Sequence, residues 1–272
     1  MSGRPYAEVI GDPIAHSKSP TIHNFWLGKL GIDGEYRACH VRPDELADYF
    51  TRRRGDAEWR GCNVTIPHKI SACRFVDAVD PEALAIGAIN TVVGRAGRLV
   101  AFNTDDAGFI DPLRSFPKTI KRATLIGAGG AARAILAALN TMEIPTVELI
   151  NRDQSKLFEL ASAYPAVRTV TPLVQGLSLS PTDLVVNATA LGMAGQPPLD
   201  VRLDGLSERT IVYDIVYSPL ETPLLANARK RGMRTIDGLE MLVGQAAVAF
   251  AFLFDAPAPR EHDAELRALL TA

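Results

Sequence analysis

The chain predicts an α/β fold with mostly parallel sheets, and three observations carry that prediction. Short β-rich runs alternate with segments of helical periodicity along the whole length. A glycine-rich turn, Gly127-Ala128-Gly129-Gly130-Ala131-Ala132, joins one such run to a helix. A second start of the β-α-β pattern comes at Ala123, after the Pro- and Lys-containing segment 117–122, which sets a domain boundary near 105–120. In order, strands are expected over 8–10, 36–41, 61–64 and 88–93, then over 123–126, 146–150, 184–187, 211–214 and 234–236. Helices over 20–30, 131–139, 154–164 and 239–254 fall between or after them. Gly94-Arg95-Ala96-Gly97-Arg98 reads as the turn of a β-hairpin. Leu239, Leu242, Val243, Ala246, Val248, Ala249, Phe250 and Leu253 make the last long helix apolar almost all round, so it is buried. Gln245 lies within that surface. An unpaired buried amide costs on the order of 1–3 kcal/mol, so Gln245 needs a partner, either neighbouring backbone or a ligand hydroxyl.

Composition narrows the function classes. A chain of 272 residues suffices for one large domain or two ordinary ones. With 47% apolar residues and a net charge of −2 it reads as a soluble globular protein without the electrostatic footprint of a nucleic-acid binder. No apolar run approaches the roughly 20 residues of a membrane span, and Met1 to Tyr6 lack the apolar core of a signal peptide. Cys39, Cys62 and Cys73 are odd in number and have no ligand spacing, as expected for reduced thiols of a cytoplasmic protein. The five scattered histidines form no metal pattern, so no metal is expected.

The segment Asn63-Val64-Thr65-Ile66-Pro67-His68-Lys69 is the most informative. Pro67 suits the first position of a helix, where its missing N–H costs nothing. Asn63, Thr65 and Lys69 would then line a strand–helix junction, and open α/β sheets bind ligands at the carboxyl ends of strands. The alternative is a solvated surface lysine. Upstream, Gly11 to Asn24 read GDPIAHSKSPTIHN. Ser19 suits an N-cap and Pro20 the position after it. Two serines, Ser17 and Ser19, at a helix N-terminus make a site for a carboxylate or phosphate; capping alone would explain Ser19 but not Ser17. Asn90 places an amide within an expected strand, and Asp105 starts a helix after the hairpin, where it is either an N-cap or a functional carboxylate.

The glycine turn has the form G-x-G-x-x-A at Gly127, Gly129 and Ala132, with a strand before and a helix after. The first glycine allows the tight turn, the second lets backbone approach a pyrophosphate, and Ala132 permits close helix–strand packing. The helix N-terminus supplies N–H groups to phosphates. At the end of the next strand stand Asn151-Arg152-Asp153-Gln154-Ser155-Lys156. Arg152, with Lys156 one helical turn on, would pair with a ribose 2′-phosphate, which favours NADP. Asp153 would repel that phosphate and leaves NAD open.

Together these segments resemble the shikimate dehydrogenase family over nearly the whole chain. The matching motifs are GDPIAHSKSPTIHN, NVTIPHK, GAINTV, NTDxxG, GAGGAARA, NATALGM, VYDIVYSPLETPLL and DGLEMLVGQAA. The resemblance implies an N-terminal α/β substrate domain (1–105), completed by the C-terminal helix (239–272), and a Rossmann-type parallel-sheet domain (106–238) for NADP. It implies reversible reduction of 3-dehydroshikimate to shikimate in aromatic amino-acid biosynthesis, by a monomer or homodimer. Lys69 and Asp105 would be the catalytic pair. Ser17 and Ser19 would hold the substrate carboxylate, with Thr65, Asn90, Tyr217 and Gln245 around its hydroxyls or carboxylate. Gly127, Ala128, Gly129, Gly130, Ala131, Asn151, Arg152, Lys156, Ile215 and Gly238 would contact the nucleotide. Three residues depart from the family pattern: Asp106, where glycine is frequent, Asp153, where Thr or Ser is, and Ala190, where Ser is. The alternatives are an NAD-preferring quinate/shikimate dehydrogenase, or a non-catalytic sensor of nucleotide and hydroxy acid, which would need neither Lys69 nor Asp105.

Overall fold

The computed structural model describes residues 3–116 and 120–272. Residues 117–119 of the expected inter-domain segment lie outside the described residues, as do Met1 and Ser2. The chain forms two compact units, Met1–Asp105 with Val243–Ala272 and Asp106–Leu242. The second crossing falls inside the last long helix, four residues beyond the expected 238/239 break, because Met241 still packs into the core of the second unit.

The first unit is built on β1 (Tyr6–Gly11), buried at all six positions. Helix α1 (Ser19–Leu30) leads to β2 (Glu35–His40), and α2 (Leu46–Arg54) leads to β3 (Trp59–Val64). β1 pairs in parallel with both strands. Then come β4 (Ala78–Val79), α3 (Pro81–Ile86), and the hairpin of β5 (Thr91–Arg95) and β6 (Arg98–Phe102). The sheet order is β2-β1-β3-β5-β6-β4, with β5 antiparallel to β3 and β6. Glu8 puts a carboxylate on β1, a buried interior strand. Arg53 clamps it with bonds of 2.7 and 2.9 Å, and the Tyr49 hydroxyl donates at 2.8 Å. An unpaired charge in that position would cost about 3–5 kcal/mol.

The second unit opens with α4 (Asp105–Leu113), whose first residue still belongs to the first unit. It continues through β7 (Arg122–Ile126), α5 (Gly130–Thr141), β8 (Thr146–Asn151), α6 (Gln154–Ala163) and β9 (Val167–Pro172). After the short β10 (Leu177–Ser178) come β11 (Leu184–Asn187), β12 (Val201–Arg202), β13 (Ile211–Asp214), α7 (Pro223–Lys230), β14 (Arg234–Ile236) and α8 (Gly238–Phe254). The all-parallel order β14-β13-β11-β7-β8-β9 is the doubly wound order of a Rossmann sheet, with its switch point between β7 and β11. Helix α9 (Asp263–Thr271) closes the chain in the first unit, where the Lys18 ammonium donates to the Leu270 carbonyl.

Three local expectations are corrected. Pro67 does not open a helix: 66–70 form a turn followed by a 3-10 segment, Ser71–Phe75. The Lys69 carbonyl, which an α-helix would offer to the residue four ahead, accepts the Ile89 N–H instead at 2.8 Å. Ser19 is not the N-cap of α1; Lys18 is, and the Ser17 hydroxyl accepts the Ser19 N–H at 3.3 Å. Ser17 thereby has a structural task that its sequence position did not suggest. Asn90 sits at a bend just before β5 rather than within a strand, because α3 ends at the left-handed Gly87 and the chain has three residues in which to reach the sheet.

Candidate active site

Strand direction gathers the candidate residues of the first unit at one sheet edge. β1 and β3 run in parallel with Ile10 opposite Val64, so their carboxyl ends are adjacent. The loop after β1 carries Ser17 and leads to Ser19, the first residue of α1, and the turn after β3 carries Thr65 and Lys69. β5 is antiparallel and starts at this edge next to Asn90. β6 ends there, and Asn103, Thr104 and Asp105 follow. The Asp12 N–H donates to the Ile66 carbonyl at 3.0 Å and the Thr65 N–H to the Ile10 carbonyl at 2.9 Å, which ties the first two loops together.

At the centre the Lys69 ammonium donates to Asp105 Oδ2. The two side chains are 15% and 5% exposed, so the carboxylate is enclosed while the amine keeps some access to a ligand. Asn90 fixes the other carboxylate oxygen: its Nδ2 donates to Asp105 Oδ1 at 2.9 Å and to Thr104 Oγ1 at 2.9 Å. The Asn90 Oδ1 in turn accepts from the Thr104 N–H at 2.8 Å and the Thr91 hydroxyl at 2.9 Å. Asp105 is thus turned toward Lys69 and Asn90, and the Asn103 side chain accepts the Asp105 N–H at 2.9 Å. Gln245 reaches the same cluster, with Oε1 3.4 Å from Asn90 Nδ2 and its carbonyl accepting from the Thr104 hydroxyl at 3.0 Å. The side chain therefore has a protein contact, and its amide still lies against the cluster that a substrate hydroxyl would meet.

Two further buried polar residues lie beside the pair: Thr104, which the sequence did not single out, and Asn63, expected at the strand end but given no role there. Thr104 links Asn90 to α8. Asn63 donates to the Asn90 carbonyl at 3.2 Å and to Thr91 Oγ1 at 3.0 Å, while accepting from the Tyr36 hydroxyl at 2.6 Å. Position within NVTIPHK and NTDxxG was the signal available for both. Among the described residues, the side chains of Ser17, Ser19 and Thr65 make no bond to the Lys69–Asp105 pair.

In the second unit, the turn after β7 stands at the switch point. Gly127 has φ 123°, and a Cβ there would lie 2.8 Å from the Ala188 carbonyl, so only glycine fits. A Cβ on Gly129 would meet nothing within 4 Å, and no side-chain oxygen caps α5, which begins at Gly130 and Ala131. Free first-turn N–H groups beside an open approach at Ala128 and Gly129 fit a pyrophosphate. At the end of β8, Arg152 is exposed and makes no ion pair among the described residues, as a receptor for a 2′-phosphate requires. Asp153 is the N-cap of α6: it accepts from the Ser155 N–H at 3.0 Å, the Lys156 N–H at 3.4 Å and the Ser155 hydroxyl at 2.6 Å. These bonds, the Ser155 hydroxyl first, hold its carboxyl below the usual range. Helix capping accounts for Asp153 without any ribose contact. Asn151 donates to the Asp153 carbonyl at 3.2 Å, and Lys156 lies 3.7 Å from the Asp153 carboxylate. Ile215 donates to the carbonyl of Asn187, the last residue of β11, at 3.1 Å, and Gly238 to the Val216 carbonyl beyond β13 at 3.3 Å, so Ile215 adjoins the switch point and Gly238 the next loop along. Tyr217 is half-buried and burial pushes its phenol up, away from neutral pH, where the hydroxyl is a hydrogen-bond donor in any case.

Comparisons with known proteins identify the relatives of this chain. The profile of the shikimate dehydrogenase substrate binding domain matches residues 9–92. A relative from Sphingopyxis alaskensis, named shikimate dehydrogenase (NADP(+)), is 51% identical, covering 98% of this chain and 97% of the relative. The crystal structure of shikimate 5-dehydrogenase from Thermus thermophilus in complex with NADP(H) and shikimate superposes with a TM-score of 0.85. It is 33% identical and covers 98% of this chain and 99% of its own. The ligand-free 5-ketofructose reductase of Gluconobacter sp. strain CHM43 has the same TM-score, 0.85, at 29% identity, covering 98% of this chain and 99% of its own. Identity above half over almost the full length decides the matter: the chain belongs to the shikimate dehydrogenase family.

Proposed function

We propose that the chain catalyses the reversible NADP-dependent reduction of 3-dehydroshikimate to shikimate in the cytoplasm. The observation that carries the mechanistic part is the enclosed Lys69–Asp105 pair with Asn90 fixing the second carboxylate oxygen. The first unit (expected as 1–105 with 239–272) is assigned the hydroxy acid and the second (106–238) the nucleotide. NADP fits the open Gly129 approach, the uncapped α5 N-terminus and the exposed Arg152, and when bound it supplies or accepts the hydride.

The protein then has one proton to move. On reduction Lys69 donates to the carbonyl oxygen as it becomes an alcohol; on oxidation it takes the hydroxyl proton. Asp105 holds the lysine in place and compensates its charge. Ser17 and Ser19 are assigned the substrate carboxylate, with Thr65, Asn90, Tyr217 and Gln245 on its surroundings and ring hydroxyls. A sensor that only bound these ligands would need no such pair.

Initial rates for shikimate and for quinate, each with NADP+ and with NAD+, test the reading. Shikimate with NADP+ should give the highest kcat/KM. Preference for quinate with NAD+ would transfer the chain to the other branch of the reading. Saturable activity with none of the four combinations would overturn the enzyme assignment.

A further inference from the structure

The first unit carries a second concave surface at the far end of the same strands. A cleft of about 470 Å3 opens between the segment after α2 and the β5–β6 turn. Topology separates it from the catalytic edge. Trp59 and Arg60 begin β3, whose last residue, Val64, adjoins the site; Arg95 and Arg98 close the hairpin whose other end carries Asn90 and Asp105. Strands of this length span roughly 17–20 Å.

Five arginines line the cleft: Arg53, Arg54, Arg60, Arg95 and Arg98. Three are engaged, Arg53 by Glu8, Arg54 by Asp77 and Arg95 by Asp255. The guanidinium groups of Arg60 and Arg98 make no ion pair or hydrogen bond among the described residues. Asp56, the carboxylate of the lining, accepts from the Tyr6 hydroxyl at 2.6 Å and the Glu58 N–H at 3.0 Å.

Two backbone features set these cations. The hairpin register puts Arg95 directly opposite Arg98, a like-charge pairing that destabilises a ladder unless something compensates it. Arg95 has Asp255; among the described residues Arg98 has the field of Asp77, a carboxylate that Arg54 already holds. Arg60 occupies a bulge: Tyr6 pairs with Trp59 and Ala7 with Gly61, so Arg60 is skipped. A bulge re-aims a side chain, and here it depends on Gly61, at φ 151°, where any Cβ would collide with the Val92 carbonyl.

We propose that this cleft binds a small phosphate-bearing anion of two or more charges, held between the forks of Arg60 and Arg98. The planar guanidinium matches phosphate oxygens two at a time, and the volume is that of a small-molecule site. The site is independent of the dehydrogenase reading, because its ligand need not be substrate or cofactor.

Isothermal titration of the full chain with inorganic pyrophosphate, at saturating NADP+ to fill the nucleotide loop, tests this directly. Wild type should bind, and the double substitution Arg60→Ala, Arg98→Ala should weaken binding about tenfold or more, since a charge-assisted hydrogen bond contributes about 1.5–3 kcal/mol. Each single substitution should fall between, and Arg209→Ala, an exposed arginine elsewhere, should change nothing. Circular dichroism of each variant reports its folding. Absence of pyrophosphate binding at millimolar concentration, or undiminished binding by the double variant, overturns the proposal. Citrate binding as tightly as pyrophosphate overturns the phosphate assignment. None of these readouts involves turnover, so failure here is distinct from failure of the dehydrogenase reading.

Discussion

Acidification should expose a weakness beneath the site. His23 on α1 is fully buried, with its ring stacked on Tyr36 at a centroid distance of 4.0 Å. Neither ring nitrogen has a hydrogen-bond partner among the described residues. Burial pushes the imidazole down from 6.5 to about 3. Between those values the unfolded chain binds a proton that the native chain does not, so stability falls as pH drops below about 6.5. Each pH unit in that window costs about 1.4 kcal/mol, which gives roughly 2 kcal/mol by pH 5. His23→Leu forfeits a ring stack worth about 0.5–1.5 kcal/mol but removes two unpartnered nitrogens, so its stability at neutral pH should stay close to wild type. Its pH dependence should differ. Urea melts of both proteins from neutral pH to about pH 5 check this, because the difference between them isolates His23. Asp56 and Asp77, whose carboxyls are held down by hydrogen bonds from Tyr6 and Arg54, act below this window and are common to both proteins. A variant that loses as much stability as wild type over that range would refute the reasoning.

Other perturbations follow from the same geometry. Asn90→Ala orphans the Thr104 N–H and frees Asp105 Oδ1. Thermal melts should show a loss of about 2–4 kcal/mol, and shikimate turnover should fall more than about tenfold; normal values of both would contradict the network. Arg152→Ala should raise KM for NADP+ by about 10–100-fold and leave that for NAD+ unchanged, and an equal effect on both cofactors would remove Arg152 from the 2′-phosphate. Gly127→Ala drives a Cβ to 2.8 Å from the Ala188 carbonyl, so fluorescence titration should show weakened nucleotide binding; unaltered affinity would contradict the close approach.

Local patterns carried the larger part of the fold. The turn at Gly127–Ala132, with a strand before and a helix after, placed the Rossmann unit, and five of its strands follow their apolar runs closely, whereas the partly exposed β9 and the two-residue β10 and β12 lay outside the expectation. Long-range bonds defeated the local reading elsewhere. Pro67 has the propensity of a helix start, but Ile89 takes the Lys69 carbonyl from twenty residues away. Thr104 draws its importance from the Gln245 carbonyl, 141 residues distant, which spacing along the chain could not reveal. Asp153 also has a local role that the sequence could have shown: it is the N-cap of α6 and accepts from the Ser155 and Lys156 N–H groups just ahead of it. Of the site, Lys69, Asp105, Asn90 and Gln245 come together as a cluster because each lies where a strand or α8 delivers it to one sheet edge.

The central claim is that Lys69 moves the proton of the reacting hydroxyl. Its most direct test is Lys69→Ala, with shikimate affinity measured by calorimetry alongside kcat for shikimate oxidation by NADP+. Turnover should fall by about 10²–10⁴-fold, the usual contribution of a positioned acid–base group, with shikimate binding within a few-fold of wild type. Near-normal turnover in that variant would contradict the account.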